Sequence, residues 1–198
     1  MKRREFLAAT GGVALSALSS RRVLGANDRL GVALIGSGRR GREVMRAFLA
    51  SNRAELRCVA DIYDVQRQRA REALGVAAPE LVAHEEALAR PDVDAVLIGV
   101  PDHLHLPLTL AALAAGKHVY MEKPTTHALG EGAQLVAAVR KSGKVCQTGT
   151  QQRSGAHYAR AKAEIVDRGL LGRVIFVRAA WSDFPWQRRK IAPQPKPA

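Results

Sequence analysis

The sequence predicts a doubly wound α/β fold on a parallel Rossmann sheet, followed by the start of a second α/β domain that would be incomplete at Ala198. Three observations carry that expectation. An apolar run breaks on glycines and turns into a helix at residues 30–50; six strand and helix segments alternate with short links up to Thr150; and the texture changes beyond it. Alternation of this kind favours a parallel sheet covered by helices on both faces.

The first strand is LGVALI, residues 30–35. It is followed by the turn GSGRRG and by REVMRAFLAS, in which Met45, Phe48 and Leu49 recur at helical spacing. LRCVAD at 56–61 is the second strand, VQRQRAREAL is helix-prone, and ELVAH at 80–84 is expected as a third strand. DAVLIGV at 94–100 is the fourth, followed by a helix from Pro107 to Ala115 that opens on proline and stops at Gly116. HVYM at 118–121 follows. An amphipathic helix with Leu129, Leu135, Val136 and Val139 then runs to Gly143, and VCQTG is the last strand of the set. These segments set one α/β domain over 27–150 and the start of a second region over 151–198. In the latter, GAHYARAKAEIVDRG reads as helix and RVIFVRAAWS as an edge strand, with Trp181, Phe184 and Trp186 short of cover.

With 47% hydrophobic and 25% charged residues in a chain of 198, the composition is globular and excludes a disordered protein. Cys58 and Cys146 lie in apolar runs and are too few for a disulfide framework. At the N-terminus, Lys2, Arg3 and Arg4 precede Glu5-Phe6-Leu7 and a weakly apolar run rich in Ala, Gly and Ser. This reads as a twin-arginine export signal over residues 1–26, cleaved near Ala26-Asn27, which would make the protein periplasmic or otherwise exported. The run is too short and too weak for stable membrane insertion. Residues 1–26 hold five Lys/Arg and one Asp/Glu, so without them the net charge falls from +13 to +9. The balance still favours anionic partners. No basic patch is interleaved with aromatics, so nucleic acid is not expected among them.

Gly36, Gly38 and Gly41 form G-x-G-x-x-G between a strand and a helix, and Asp61 ends the second strand 20 residues after Gly41. In that context the glycines permit a tight turn and close approach of backbone to pyrophosphate, while the helix N-terminus attracts its charge. Asp61 would accept from the adenosine ribose hydroxyls and repel a 2′-phosphate, which favours NAD over NADP. Arg39, Arg40 and Arg42 cluster beside the turn, as phosphate contacts or as solvated surface charge. Pro101-Asp102-His103-Leu104-His105 follows the fourth strand at the sheet rim where ligands bind. Pro101 and His105 are candidates for cofactor or substrate contact, and no second cluster supports a metal. Glu122-Lys123-Pro124 closes the next strand on that rim. Lys123 could hold a substrate oxygen and move a proton, or form a surface pair with Glu122 beside a turn-making proline.

GSGRRG, terminal Asp61, PDHLH, and above all GKHVYMEKP followed by QTGTQQR resemble, in order and spacing, the Gfo/Idh/MocA oxidoreductases. That family is named for glucose-fructose oxidoreductase, inositol dehydrogenase and a rhizopine-catabolism protein, and the likeness covers roughly residues 30–190. It implies a Rossmann domain followed by an α/β domain with a large open sheet, a sugar, cyclitol or related polyol as substrate, and a homo-oligomeric parent enzyme. It implies that Lys123 binds substrate and assists proton transfer, that Pro124 positions the nicotinamide, that His105 lies near that ring, and that Glu122 belongs to the cofactor site. The downstream Asp-x-x-x-His pair that typically supplies the family's catalytic histidine is absent from these 198 residues, so this chain by itself is expected to be poorly active. Two further readings share the first domain: an NAD-dependent glycosidase of the same family, and a non-catalytic dinucleotide-binding module.

Overall fold

The structure, a computed structural model, describes residues 29–75, 80–81 and 83–179. The expected signal segment, the cleavage site and the aromatic cluster at 181–186 lie outside these residues. Among the described residues six strands form one parallel sheet: β1 (Leu30–Ile35), β2 (Ala54–Ala60), β3 (Glu80–Leu81), β4 (Ala95–Ile98), β5 (His118–Glu122) and β6 (Cys146–Gly149). Their spatial order is β3-β2-β1-β4-β5-β6. The order reverses between β1 and β4, so the crevice at their carboxyl ends is the topological switch point of a Rossmann sheet.

The helices are α1 (Arg39–Ala50), α2 (Asp64–Leu74), α3 (His84–Ala89), α4 (His105–Ala114), α5 (Glu131–Ser142) and α6 (Ala156–Ala161). A 3₁₀ turn at Asp102–Leu104 leads into α4, and a π-helical turn at Lys162–Val166 continues α6. Alternate residues of the strands enter opposite cores, as the two-residue period of a strand requires, with a shift by one in β2 where its pairing with β1 skips Arg57. On one face Val32, Leu34, Val59 and Leu97 pack with Val44 and Met45 of α1 and Ala70 of α2. On the other, Ala33, Ile35, Val96, Ile98 and Met121 pack with Leu88 of α3 and Leu108, Ala112 and Leu113 of α4. Leu135 and Val139 of α5 rest on that second core at its edge. The strands read as continuous apolar runs because both of their faces are covered.

Cys58 is fully buried in β2, and burial pushes its thiol up to about 11. Cys146, on the outermost strand, is half-buried, and burial raises it as well. Both cysteines are free thiols.

Four boundaries differ from the sequence expectation. His84 opens α3 instead of ending β3, because Glu85 and Glu86 suit a helix's first turn and Ala87 and Leu88 turn inward. Helix α4 begins at His105, two residues before the proline that was expected to open it. Leu129 precedes α5 and is fully exposed, so it takes no part in that helix's apolar face. Residues 173–179 form no strand, and Val174, Ile175, Phe176 and Val177 are exposed. No strand among the described residues lies alongside to hydrogen-bond them, and a β-suitable sequence without a partner has no ladder to join.

Candidate functional site

The carboxyl end of β1 meets the start of α1 without side chains between them. A Cβ at Gly41 would stand 2.1 Å from the Gly36 carbonyl oxygen, and one at Gly99, just past β4, would stand 3.0 Å from the Gly41 Cα. Gly36 has φ +82°, and a Cβ there would collide with the Gly99 backbone at 2.7 Å. Three glycines from the ends of two strands and one helix thus bring the first turn of α1 down onto the switch point. Gly38 is different: nothing lies within 4 Å of the position its Cβ would take. The space beside Gly38 is open, which suits a backbone approached by pyrophosphate.

Ser37, between the first two glycines, is fully buried. Its amide and hydroxyl both donate to Asp61 Oδ2, at 2.8 and 3.0 Å, and the Tyr63 amide donates to Oδ1 at 3.0 Å. The carboxylate is held at the end of β2 and tied to the glycine turn, with acceptor capacity left on Oδ1 for a diol. Arg67 donates to the Asp61 backbone oxygen and also pairs with Asp64. Arg42 donates to the Ser37 carbonyl and to Gln66 Oε1 at 3.0 Å. Burial, then the charges of Arg69 and Arg46, lower the Arg42 guanidinium pKa, so this corner favours added negative charge.

Glu122 ends β5, with its side chain only 5% exposed, and accepts from Arg40 at 2.9 Å. That hydrogen bond, opposed by burial, raises the Arg40 pKa. The Tyr120 phenol lies in the same cluster and is pushed up by burial and then by the Glu122 charge. Its ring meets Phe48 of α1 edge-on, with centroids 5.2 Å apart. Gly149 at the end of β6 completes the cluster: a Cβ there would stand 2.7 Å from Glu122 Oε1 and 2.8 Å from the Tyr120 hydroxyl. The glycine of QTGT is therefore fitted to the carboxylate of EKP on the neighbouring strand.

Lys123 is exposed at the rim, and no hydrogen bond or ion pair engages its ammonium among the described residues. The surface Lys-Glu pair considered from the sequence does not form, because Glu122 turns inward to Arg40. The Lys123-Pro124 peptide is cis. Pro101 and Pro124 are both exposed, in the turns after β4 and β5. His105, expected near a ligand, is 1% exposed, and its two ring nitrogens face the carbonyl oxygens of Val100 and Pro124. Arg39 is exposed and lies 3.6 Å from Glu43 on its own helix.

The sequence reading missed Ser37, Tyr120, Gly99 and Gly149. Ser37 is the variable residue of the glycine motif, and nothing local says that its hydroxyl closes on Asp61. Gly149 was visible within QTGT, but its purpose depends on the register that sets Glu122 opposite Gly149. Among the described residues no group of three or more His, Cys, Asp or Glu could hold a metal ion, and no helix is long and apolar enough to cross a membrane.

A 3-2-1-4-5-6 sheet, a glycine turn with one open face and a carboxylate at the end of β2 define a dinucleotide-binding domain. The family model of oxidoreductases with an NAD-binding Rossmann fold matches residues 30–150, and the chain belongs to this Gfo/Idh/MocA family. It is 36% identical over 141 residues to the dTDP-3,4-didehydro-2,6-dideoxy-alpha-D-glucose 3-reductase of Streptomyces violaceoruber, covering 71% of this chain and 40% of that one. It is 31% identical to the scyllo-inositol 2-dehydrogenase (NAD(+)) of Bacillus subtilis (strain 168), covering 76% and 44%. Among solved structures, GenD2 from gentamicin A biosynthesis, in complex with NAD, superposes with a TM-score of 0.68 at 30% identity, covering 76% and 43%. Apo scyllo-inositol dehydrogenase from Lactobacillus casei gives 0.66 at 26% identity, covering 75% and 44%. The chain spans less than half the length of these relatives.

Two predictions follow from the packing. Gly41→Ala, which forces a methyl onto the Gly36 carbonyl, lowers unfolding stability in urea by about 1–3 kcal/mol. Gly38→Ala leaves stability within about 0.5 kcal/mol but weakens NAD binding in a fluorescence titration by roughly tenfold. For the ion pair, Arg40→Met strands a buried carboxylate and costs roughly 1–3 kcal/mol, less than a fully buried pair because the Arg40 side chain is 39% exposed. Adding Glu122→Gln to Arg40→Met recovers part of that loss, and the double mutant melts above Arg40→Met alone.

Proposed function

We propose that the whole enzyme oxidises a hydroxyl-bearing carbon of a sugar, cyclitol or related polyol, with NAD as the resident dinucleotide. The observation that carries this reading is Lys123: an exposed ammonium, without a partner among the described residues, on the same rim as a glycine turn with room at Gly38 and a ribose-type acceptor in Asp61. The relatives' names, a sugar-nucleotide reductase and an inositol dehydrogenase, supply the substrate class.

Gly36, Gly38 and Gly41 would cradle the pyrophosphate, and Asp61 would hold the adenosine ribose. Asp61 also disfavours a 2′-phosphate by charge, which is the basis for NAD over NADP. Bound NAD supplies the hydride acceptor. Lys123 would donate to the substrate oxygen and steady the charge that develops there as its proton leaves. Pro124 would help to position the nicotinamide, as the family likeness implies. A histidine further along the parent protein, implied by the family likeness, would complete the proton path.

Lys123→Met in the full-length protein keeps NAD affinity within about threefold while lowering kcat on a responsive polyol by about 10²-fold or more. Equal kcat in both proteins would refute the assignment. Release of nitrophenol from nitrophenyl glycosides, with no net NADH formed, would move the reading to the glycosidase chemistry of the same family.

We also propose export by the twin-arginine route, on Arg3-Arg4 followed by Glu5-Phe6-Leu7 and a weakly apolar run. Changing Arg3 and Arg4 to Lys is expected to retain the protein in the cytoplasmic fraction, and an unchanged periplasmic yield would sink the proposal. A homo-oligomeric enzyme is proposed on the family likeness, to be checked by light scattering of the same preparation.

A further inference from the structure

Four polar or charged side chains are buried among the described residues: Ser37, His105, Thr109 and Glu122. Ser37 and Glu122 serve the glycine turn through Asp61 and Arg40. The other two lie one helical turn apart on α4 and face β5 and the turn after it that carries Lys123. Thr109 donates to Met121 Sδ at 3.2 Å, and His105 reaches the turn beyond that strand.

Burying an imidazole is costly unless its nitrogens find partners. His105 Nδ1 lies 2.5 Å from the Pro124 carbonyl oxygen and Nε2 lies 3.0 Å from that of Val100. The two carbonyls belong to the turns after β5 and β4, so the ring spans both. A neutral imidazole carries one N–H and donates to one carbonyl at a time.

We propose that His105 is the positioning residue for Lys123, its Nδ1–H donating to the Pro124 carbonyl and fixing the peptide that follows the lysine. This rests on the reading of Lys123 given above. Lysine has a four-carbon stem and many rotamers, so the origin of its reach is set by its backbone. On the N-terminal side that backbone is anchored through Glu122 to Arg40. On the C-terminal side it is anchored through Pro124 to His105. Holding both neighbours limits where the ammonium can go, the kind of preorganisation that a proton-handling group requires.

Asparagine at 105 places an amide nitrogen near the position of Nδ1, whereas glutamine reaches toward that of Nε2. In the full-length enzyme, His105→Asn is expected to stay within about threefold of the parent kcat, whereas His105→Gln loses about tenfold or more at unchanged NAD affinity. Amide hydrogen exchange over residues 121–126 should quicken in His105→Gln and not in His105→Asn. Equal behaviour of the two variants, with protection of 121–126 unchanged, would overturn the proposal. The unaltered protein gives a test that needs no variant: the ring ¹⁵N shifts of His105 should show the proton on Nδ1, and a bare Nδ1 with a protonated Nε2 would also overturn it. Exchange and ring shifts need no turnover. If no polyol is oxidised while His105→Gln still frees 121–126, the anchoring stands and the activity reading falls.

Discussion

The close approach of three backbones, at Gly36, Gly41 and Gly99, is the constraint on which the rest of the site depends. Without side chains between them, the first turn of α1 lies on the carboxyl ends of β1 and β4. Its free amides then open at the crevice where the strand order reverses. Arg40 is carried to Glu122 by that placement, and Phe48, two turns further along α1, to Tyr120. A methyl at Gly41 would lift the helix and disturb contacts two strands away. Loop geometry at one end of the sheet therefore governs the charge arrangement on β5.

From there the site is a series of tethers. The buried Ser37 hydroxyl ties the glycine turn to Asp61 on one side of β1. On the other, Arg40 ties it to Glu122, whose carboxylate in turn needs the missing Cβ of Gly149. Each tether crosses between elements distant in sequence and close in the sheet. The segments that would touch the two ends of a dinucleotide are mechanically connected through one turn. Among the described residues no hydrogen bond or ion pair engages the Lys123 ammonium, while its neighbours on both sides are held.

Much of the fold was legible in the sequence because its signals are local. LGVALI gave the first strand to the residue, and the glycines after it could hardly be read as anything but a turn into a helix. Continuous apolar strands separated by helices left few topologies open. The candidate residues were legible as a set for the same reason: they sit at strand ends, where such a sheet places its ligands. Their roles were less so. Glu122 beside Lys123 in sequence suggested a surface pair, yet successive residues leaving a strand face opposite ways, and only the packing of α1 gives Glu122 an arginine 82 positions away. His105 was read toward the ligand because its position on the rim is right; its burial depends on α4 starting two residues early. The strand expected after Arg173 shows the limit of propensity, since β-suitable residues need a neighbour before they can be a strand.

The two thiols, placed at different depths in the same sheet, make the protein report on its own opening. Cys58 sits in a central strand with no exposure and a thiol pushed to about 11, so in the closed domain it presents almost no thiolate to a reagent at neutral pH. Cys146 lies on the outermost strand and is half-open already. Modification of Cys146 would follow fraying of the sheet's edge, whereas Cys58 could react only when the core on its own face of β2, under Ala87 and Leu88 of α3, opens. Their separate rates would distinguish loosening at the β6 border from loss of the whole domain, with no label added to the sequence.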